Sequence, residues 1–350
     1  VQKYELDPDE IDQVVFGQVI PTMTLASISR EIVLASGLPR HIDAHTVSRA
    51  CATSIQAMTD AANSIALGLS QCSIAGGTES MSDPSIFTSR PLAHALISAS
   101  KARSLPEKLK PFQTLKPKDL LPVPPAIAEF STGQSMGESA EKMAKENGIS
   151  RVAQDAVALV SHQNASHAWK SGFFSSQVMK VVVPPEFDET VSVDNLVRVD
   201  ASMQALSQLK PVFDRKYGSV TAGNSSPLTD GAAAIVMMNY DYAKAHGYTI
   251  LGTLRAYAYA ATDPTDQLLA GPAYAAPLAL DRAGMSLKDV DLIEMHEAFA
   301  AQIESNIRAF ESKDFAHKLG RSHALGEVPR DRLNVNGGSI SIGHPFAATG

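Results

Sequence analysis

The chain has 350 residues and a formal net charge of -7, and 44% of its residues are hydrophobic against 19% charged. This length exceeds what one simple core needs, so two or three lobes are expected, and the acidic balance argues against nucleic acid as a main partner. No apolar run approaches the ~20 residues that span a bilayer. Two cysteines cannot form a disulfide framework, which favours a reducing compartment.

The first predicted strand follows an aspartate-rich turn, and its pattern returns near the other end of the chain. Residues 9–17 (DEIDQVVFG) resemble residues 288–296 (KDVDLIEMH), each with a polar turn and then a short apolar strand. The later copy follows a predicted helix over 274–283 that Gly284 ends, whereas the earlier copy has no such helix before it. Duplicated halves would explain the match; chance is the alternative, because such turns are common in α/β folds.

A helix with almost no charge is predicted next, from about residue 50 to residue 69. Asp60 is its only ionisable side chain besides Cys51. Surface helices normally carry a charged face, so we expect this helix to be buried on more than one side. The predicted apolar stripe consists of Ile55, Met58, Ala62, Ile65 and Leu69.

Cys51 lies at the mouth of this helix. A thiol in the first turn lies near the positive end of the helix dipole, and Arg49 adds positive charge, so the pattern favours a thiolate nucleophile. A small buried apolar cysteine is the alternative and is the commoner case for a single Cys. Cys72, at the start of the apolar segment 72–75, is predicted to be a core thiol in a strand.

The composition changes between residues 83 and 210, which are rich in Pro, Lys, Ser and Met. Amphipathic helices are predicted over 137–147 and 150–171, the second with Ser150 as its N-cap. We interpret this region as an insertion that packs over the core. Residues 232–238 then form an apolar run that suits a fully buried strand.

Two histidines follow predicted strands in the last sixty residues. His296 comes after the predicted strand 292–295, and His344 lies between Gly343 and Pro345, which fix the backbone. Ligands of α/β sheets bind at the carboxyl ends of strands. Either histidine alone is more typical of a capping or core residue, but together with Cys51 they favour a Cys/His site. With the histidines scattered and no HExxH or CxxC, the sequence predicts no metal site.

Several stretches together resemble the thiolase family, in the family's order and across almost the whole chain. The resemblance is to its 3-ketoacyl-CoA thiolase branch, which forms the β subunit of fatty-acid oxidation multienzyme complexes. Typical thiolases have Asn where this chain has His296, and that branch resembles it in carrying His. The stretches are 48–51 (SRAC), 75–82 (AGGTESMS), 136–141 (MGESAE), 209–213 (LKPVF), 221–234, 296–299 (HEAF) and 343–346 (GHPF).

The resemblance implies roles for the Cys/His residues. Cys51 would be the acyl-accepting nucleophile. His344 would take its proton and later help to hold the thioester oxygen of the substrate. His296 would contribute to the same oxyanion site by positioning a water, and the backbone N–H of Cys51 would belong to a second oxyanion hole.

The resemblance also implies a binding pocket and partners. Ser226, Met136 and Phe299 match positions that line the pantetheine and acyl pocket, with ordinary turn or core packing as the alternative. Coenzyme A is a substrate, with no separate cofactor. A homodimer is implied, and a hydratase/dehydrogenase α subunit is the partner in that branch. The expected location is the bacterial cytoplasm, or the mitochondrion in a eukaryote.

The implied reaction is thiolytic cleavage of a 3-ketoacyl-CoA in fatty-acid β-oxidation. An acetoacetyl-CoA-forming thiolase is the alternative within the same chemistry. A condensing enzyme of the ketoacyl-synthase type shares the fold, but the HEAF and SMG stretches fit it less well. A non-catalytic thiolase-like subunit, with the insertion used for docking, is the remaining alternative.

The implied fold is α/β, with two similar βαβαβαββ halves in a five-layer αβαβα arrangement and an inserted loop domain. We predict residues 1–82 plus 215–245 as the first half, 83–214 as the loop domain covering the CoA site, and 246–350 as the second half.

The family carries a second catalytic cysteine in a Cys-x-Gly loop beyond the histidine loop, so we expect the chain to be trimmed at both ends. The Pro-rich segment 120–130 is expected to contact the α subunit, a membrane surface or an acyl chain, or to be a buried linker.

Overall fold

A computed structural model describes residues 1–125 and 127–350. In that part of the chain, no helix combines the length and the apolar character that crossing a membrane requires. The strands are β1 (Gln13–Gly17), β2 (Asp43–Val47), β3 (Cys72–Glu79), β4 (Val181–Val182), β5 (Thr190–Val191) and β6 (Gly231–Met238). The α-helices are α1 (Ile28–Ala35), α2 (Thr53–Ala66), α3 (Arg90–Lys101), α4 (Leu105–Leu109), α5 (Met136–Glu146), α6 (Arg151–Lys170), α7 (Met203–Ser207), α8 (Tyr240–Ala245), α9 (Gly271–Ala283), α10 (Ala300–Glu311), α11 (Lys313–Lys318) and α12 (Ser339–Ile342).

The main sheet has the strand order β2-β1-β3-β6 and helices on both faces. β1 runs parallel to β2 and β3, whereas β6 runs antiparallel to β3. Alternate residues of β1 face opposite sides, so Val14 packs with Val33 of α1 and Val15 packs with Ala57 of α2. A parallel strand enclosed in this way is apolar on both faces, which explains the run Val14, Val15 and Phe16.

Helix α2 lies against β1 and β3 through its smallest side chains. Its buried residues are Thr53, Ser54, Ala57, Thr59 and Ala61 rather than the predicted stripe. The predicted stripe is wrong at its end, where Leu69 is 75% exposed. Small side chains are buried here because α2 approaches β1 closely. A Cβ on Gly17 of β1 would lie 2.0 Å from Cγ2 of Thr53 in α2. Little room is left for large side chains at that contact.

The prediction of a fully buried strand over residues 232–238 is wrong for β6. Ile235 is 47% exposed and Val236 is 40% exposed. Among the described strands, β6 hydrogen-bonds to β3 alone and therefore forms one edge of the sheet. An apolar composition predicts a strand but does not say whether both of its edges are paired.

The insertion contributes helices that reach the second half of the chain. α5 and α6 form close to the predicted bounds, and the Ser150 hydroxyl accepts a hydrogen bond from the Ala153 N–H as the N-cap. α6 packs against α7, α10 and α12. The segment 120–130 includes Ala126, which lies outside the described residues. The prediction that segment 120–130 is a buried linker is wrong, because Leu120 and Phe130 are exposed.

The repeated pattern near residue 290 begins as predicted and then departs from its earlier copy. α9 ends at Gly284, which adopts the left-handed φ of +66°. A 3₁₀ turn (Leu287–Asp289) then matches the one before β1 (Pro8–Glu10). The predicted strand 292–295 does not form a ladder, and within the described residues it makes a single bridge, Ile293 to Leu333.

Asn334 explains why that ladder stops. Its φ of +47° turns the backbone away from the extended conformation. Its side chain takes over the pairing, since Oδ1 accepts from the Met295 N–H at 2.8 Å and Nδ2 donates to the Met295 carbonyl at 2.9 Å. The segment before His296 is therefore held by the Asn334 side chain at Met295 and by backbone hydrogen bonds at Ile293.

Candidate active site

Cys51 lies in the tight turn that leads from β2 into α2. Ala50 has a left-handed φ of +43°, which costs a residue other than glycine about 1–3 kcal/mol. The Thr53 hydroxyl holds the turn, because it accepts from the Arg49 N–H at 2.7 Å and donates to the Ala50 carbonyl at 2.6 Å. The turn leaves the thiol half-buried instead of enclosed in the core.

His344 meets this thiol from the opposite end of the chain. Its Nε2 lies 3.2 Å from Sγ of Cys51. Its backbone N–H donates to the Pro227 carbonyl at 2.9 Å, and its Nδ1 lies 2.6 Å from Oγ1 of Thr349. With Nδ1 protonated and donating to that hydroxyl, the Nε2 lone pair faces the sulfur.

His296 completes the cluster. Its ring centroid lies 4.1 Å from that of His344, and its Nδ1 lies 2.6 Å from Oγ of Ser339. Its Nε2 is buried and has no hydrogen-bond partner in the described part of the chain. One side-chain atom each from Cys51, His296 and His344 can be chosen so that all lie within 4.8 Å of one another. No local sequence pattern predicts this potential ligand cluster, because its members come from three distant segments.

Burial keeps all three groups uncharged near neutral pH. It raises the pKa of the Cys51 thiol to about 11, although a backbone hydrogen bond opposes the shift. Burial also lowers the pKa of His344 to about 4. For His296, burial and the neighbouring His344 charge lower the pKa to about 3. A neutral thiol therefore faces a neutral imidazole.

Arg49, which the sequence predicts to add positive charge beside a thiolate, is held by other partners in the structure. Its Nε donates to Oε1 of Gln56 at 2.6 Å, and its guanidinium carbon lies 4.2 Å from the centroid of the Tyr259 ring. The guanidinium is thus held by other partners, and desolvation dominates the pKa of Cys51. Deprotonation of this sulfur depends on the imidazole in contact with it.

A buried carboxylate fixes the loops that carry the two histidines. Oε2 of Glu297 accepts from Oγ of Ser161 at 2.7 Å and from the Ile340 N–H at 3.1 Å. Oε1 of Glu297 accepts from Nδ2 of Asn334 at 2.7 Å. The residue next to His296 therefore joins α6, α12 and the Asn334 turn.

A second buried carboxylate joins β3 to the His344 loop. Glu79 accepts from the Val19 and Ile20 N–H groups, both at 3.0 Å, and from the Ala347 N–H at 3.3 Å. Glu79 and Glu297 lie in stretches that resemble the family, but neither carboxylate was predicted to have a role. A glutamate next to a candidate histidine or inside a Gly-rich strand end was the available signal.

The three candidate pocket residues are only partly brought together. The Ser226 N–H and hydroxyl both donate to the Ala298 carbonyl, which places Ser226 beside Phe299. The Phe299 ring meets the Phe213 ring edge-on at 6.1 Å between centroids. Met136 begins α5, and a Cβ on the next residue, Gly137, would lie 1.8 Å from the Phe213 ring. Phe213 therefore lies between the first turn of α5 and the Phe299 ring.

Other features of the molecule lie away from the sulfur. Cys72 is fully buried in the core cluster with Val14 and Val33, as predicted for a core thiol. A cavity of about 370 Å³ opens beside α5 and does not include Cys51. Its lining residues are Glu138, Glu141, Lys142, Lys145, Glu146, Phe213 and Asp214.

Comparison with known proteins covers almost the whole chain. The family described as "Thiolase, N-terminal domain" matches residues 1–241, and the family "Thiolase, C-terminal domain" matches residues 248–350. A 3-ketoacyl-CoA thiolase of Erwinia tasmaniensis is 54% identical over 347 residues, covering 99% of this chain and 79% of the relative. The same name and identity apply to a relative from Serratia proteamaculans, over 346 residues and with the same coverage.

Solved structures agree with these matches. The acetyl-CoA acetyltransferase of Bacillus anthracis has a TM-score of 0.81 and 31% identity, covering 98% of this chain and 79% of that one. Human mitochondrial 3-ketoacyl-CoA thiolase in complex with CoA has a TM-score of 0.78 and 27% identity, covering 99% of this chain and 79% of that one. The fold is the α/β thiolase fold, and the chain belongs to the thiolase family.

Proposed function

We propose that this chain is an acyltransferase that cleaves 3-ketoacyl-CoA with CoA, giving acetyl-CoA and an acyl-CoA shortened by two carbons. The observation that carries the proposal is the 3.2 Å contact between Sγ of Cys51 and Nε2 of His344. Relatives that are 54% identical carry the name 3-ketoacyl-CoA thiolase, which supports this substrate class.

The first half-reaction transfers an acyl group to the sulfur. His344 accepts the Cys51 proton at Nε2, and the thiolate attacks the 3-keto carbon. The bond between C2 and C3 breaks, so Cys51 holds the shortened acyl group and the enolate of acetyl-CoA takes up the proton that left Cys51. In the second half-reaction, a fresh CoA thiol attacks the acyl carbon and forms the new thioester, and its proton passes to the sulfur of Cys51 as the bond from that sulfur to the acyl carbon breaks.

Buried polar groups around the sulfur suit the charge that develops on oxygen. Nε2 of His296 has no partner in the described structure, and Ser339 can donate to its Nδ1. That arrangement leaves a proton on Nε2 to be donated to an oxyanion, directly or through a water. The Cys51 N–H is proposed for the second oxyanion hole. Each such donor is worth about 3 kcal/mol of transition-state stabilisation.

Binding and assembly complete the proposal. Ser226, Met136 and Phe299 would line the pantetheine and acyl path, with CoA as a substrate and no separate cofactor. The human neighbour was solved in complex with CoA, which supports CoA binding here. We further propose a homodimer, association with a hydratase/dehydrogenase α subunit, and action in the bacterial cytoplasm or, in a eukaryote, the mitochondrion.

The reverse reaction, formation of acetoacetyl-CoA, is the second candidate. The acetyl-CoA acetyltransferase of B. anthracis shares the fold with a TM-score of 0.81, which favours this candidate. Its identity of 31% lies well below the 54% of the relatives named 3-ketoacyl-CoA thiolase. Cleavage is therefore the better supported direction.

Trapping the acyl-enzyme tests the proposal. The chain is incubated with 3-ketohexanoyl-CoA without added CoA, and its peptides are mapped by mass spectrometry. A butyryl group on the Cys51 peptide, with release of acetyl-CoA, is the expected result. Cys51→Ser should abolish the adduct. A chain that folds but forms no adduct with 3-ketoacyl-CoAs of any length would support the non-catalytic alternative.

A further inference from the structure

We propose that the Cys51, His296 and His344 side chains form a binding site for one Zn²⁺ ion, which inhibits the enzyme reversibly. Their potential ligand atoms lie within 4.8 Å of one another, and they combine a thiol with two imidazoles. This donor set suits zinc, which accepts thiolate and imidazole ligands and tolerates a fourth position open to water.

The spacing of the Cys51 and His344 side chains is close to what zinc requires. Zinc–sulfur bonds of about 2.3 Å and zinc–nitrogen bonds of about 2.0–2.1 Å place two tetrahedral ligand atoms roughly 3.3–3.6 Å apart. Sγ of Cys51 and Nε2 of His344 are already 3.2 Å apart, so this pair needs to open by only a few tenths of an ångström. His296, half-buried in its loop, has to supply the third ligand. Since the three ligand atoms lie within 4.8 Å of one another, its ring has to approach by up to about 1.5 Å when the ion binds.

The second nitrogen of each imidazole already has a partner. Nδ1 of His344 lies 2.6 Å from Thr349 Oγ1, and Nδ1 of His296 lies 2.6 Å from Ser339 Oγ. Metal-bound histidines usually donate from their other nitrogen. For His296 this requires Nδ1 to carry the proton and donate to Ser339, the opposite tautomer to the one that donates from Nε2 to an oxyanion, and the Ser339 hydroxyl can play either part. Nε2 of His296 is also a buried nitrogen without a partner in the described residues, so a metal would satisfy it.

Binding releases a proton and removes the nucleophile. The sulfur–hydrogen bond of Cys51 breaks, its proton goes to solvent, and the sulfur electron pair forms the bond to zinc. No oxidant or reductant is required. A sulfur bound to zinc cannot attack a ketone, and His344 can no longer accept a proton at Nε2. The inhibition depends on the proposed thiolysis, whereas the metal binding does not.

Binding is measured on the metal-free chain with Zn²⁺ and, as a coloured probe, Co²⁺. We expect one equivalent per chain, about one proton released per ion, and a sulfur-to-cobalt charge-transfer band with the ligand-field bands of a tetrahedral site. Cys51→Ser, or prior alkylation of Cys51 in the unmodified chain, should remove the charge-transfer band. A chelator should restore thiolysis after inhibition by zinc.

Variants separate this site from incidental binding. His296→Ala should raise the dissociation constant about 100-fold or more, and Ser339→Ala about 10–100-fold, as expected for a partner of a ligand. His323→Ala, at an exposed histidine outside the cluster, should leave binding unchanged. Three results would each overturn the proposal: no binding, a charge-transfer band that survives alkylation of Cys51, or a dissociation constant unaffected by His296→Ala. Loss of thiolysis without metal-binding changes would bear on the proposed function alone.

Discussion

The reactivity of Cys51 depends on how its proton leaves. Burial raises the pKa of this thiol to about 11, and a thiol is protonated at every pH well below its pKa. The thiolate fraction then grows about tenfold for each pH unit in that range. The rate of alkylation by iodoacetamide should therefore keep rising from about pH 6 to about pH 10. A stable thiolate–imidazolium pair would instead give a plateau near neutral pH.

Two variants make this measurement specific. Cys51→Ser leaves Cys72, whose pKa burial raises to about 12, and the remaining alkylation should be slow. Arg49→Gln should change the rate by less than about twofold, because the guanidinium is held by Gln56 and Tyr259. A large loss of rate in Arg49→Gln would restore the view that this arginine stabilises the thiolate.

At the scale of single residues, sequence patterns identified the reactive groups but not what orients them. Cys51, His296 and His344 were predicted, and the structure brings them together. Ser339 and Thr349 were not predicted, because a hydroxyl that fixes an imidazole tautomer has no sequence signature. The charge state of Cys51 was also missed, since desolvation is a property of the folded surroundings.

At the scale of secondary structure elements, the Glu297 carboxylate connects α6 to α12 through hydrogen bonds. Both of its oxygens accept hydrogen bonds, from Ser161, Asn334 and the Ile340 N–H. Glu297→Gln replaces one acceptor with an NH₂ group that faces a donor. We expect the free energy of unfolding, measured in urea, to fall by about 1–3 kcal/mol.

Asp266→Asn is the control for that measurement. Asp266 pairs with Lys318 at 3.4 Å, both side chains are more than half exposed, and such pairs are worth about 0–1 kcal/mol. Equal losses in the two variants would contradict a structural role for the Glu297 network. A larger loss in Glu297→Gln, together with slower alkylation of Cys51, would connect the network to the position of His344.

The sequence predicted where helices begin and end better than it predicted which strands pair. Capping residues and helical periodicity identified α5, α6 and α9 to within a few residues. The ladder expected before His296 failed because Asn334 adopts a positive φ and pairs through its side chain. The exposure of β6 could not be predicted from its sequence either, since local composition does not specify which strands lie beside it.

At the scale of the whole molecule, the site exists only because distant parts of the chain meet. Cys51 and His344 are 293 positions apart in sequence. Their contact depends on the packing of β3 against the turn that follows His344 (Phe346–Ala348). The family resemblance predicted this meeting, whereas periodicity and composition alone had no means of doing so.

Gly77 is the tightest point of that packing, and changing it tests the arrangement. A Cβ at this position would lie 1.8 Å from the Ala347 carbonyl oxygen, which is backbone and cannot rotate away. Gly77→Ala should therefore push the His344 loop from Cys51, lower the free energy of unfolding by at least about 1 kcal/mol, and slow acylation of Cys51 about tenfold or more. Gly271→Ala is the control, because a Cβ there meets nothing within 4 Å, and it should stay within about 0.5 kcal/mol of the unmodified chain. If Gly77→Ala unfolds and acylates like the unmodified chain, β3 does not hold the histidine loop in place.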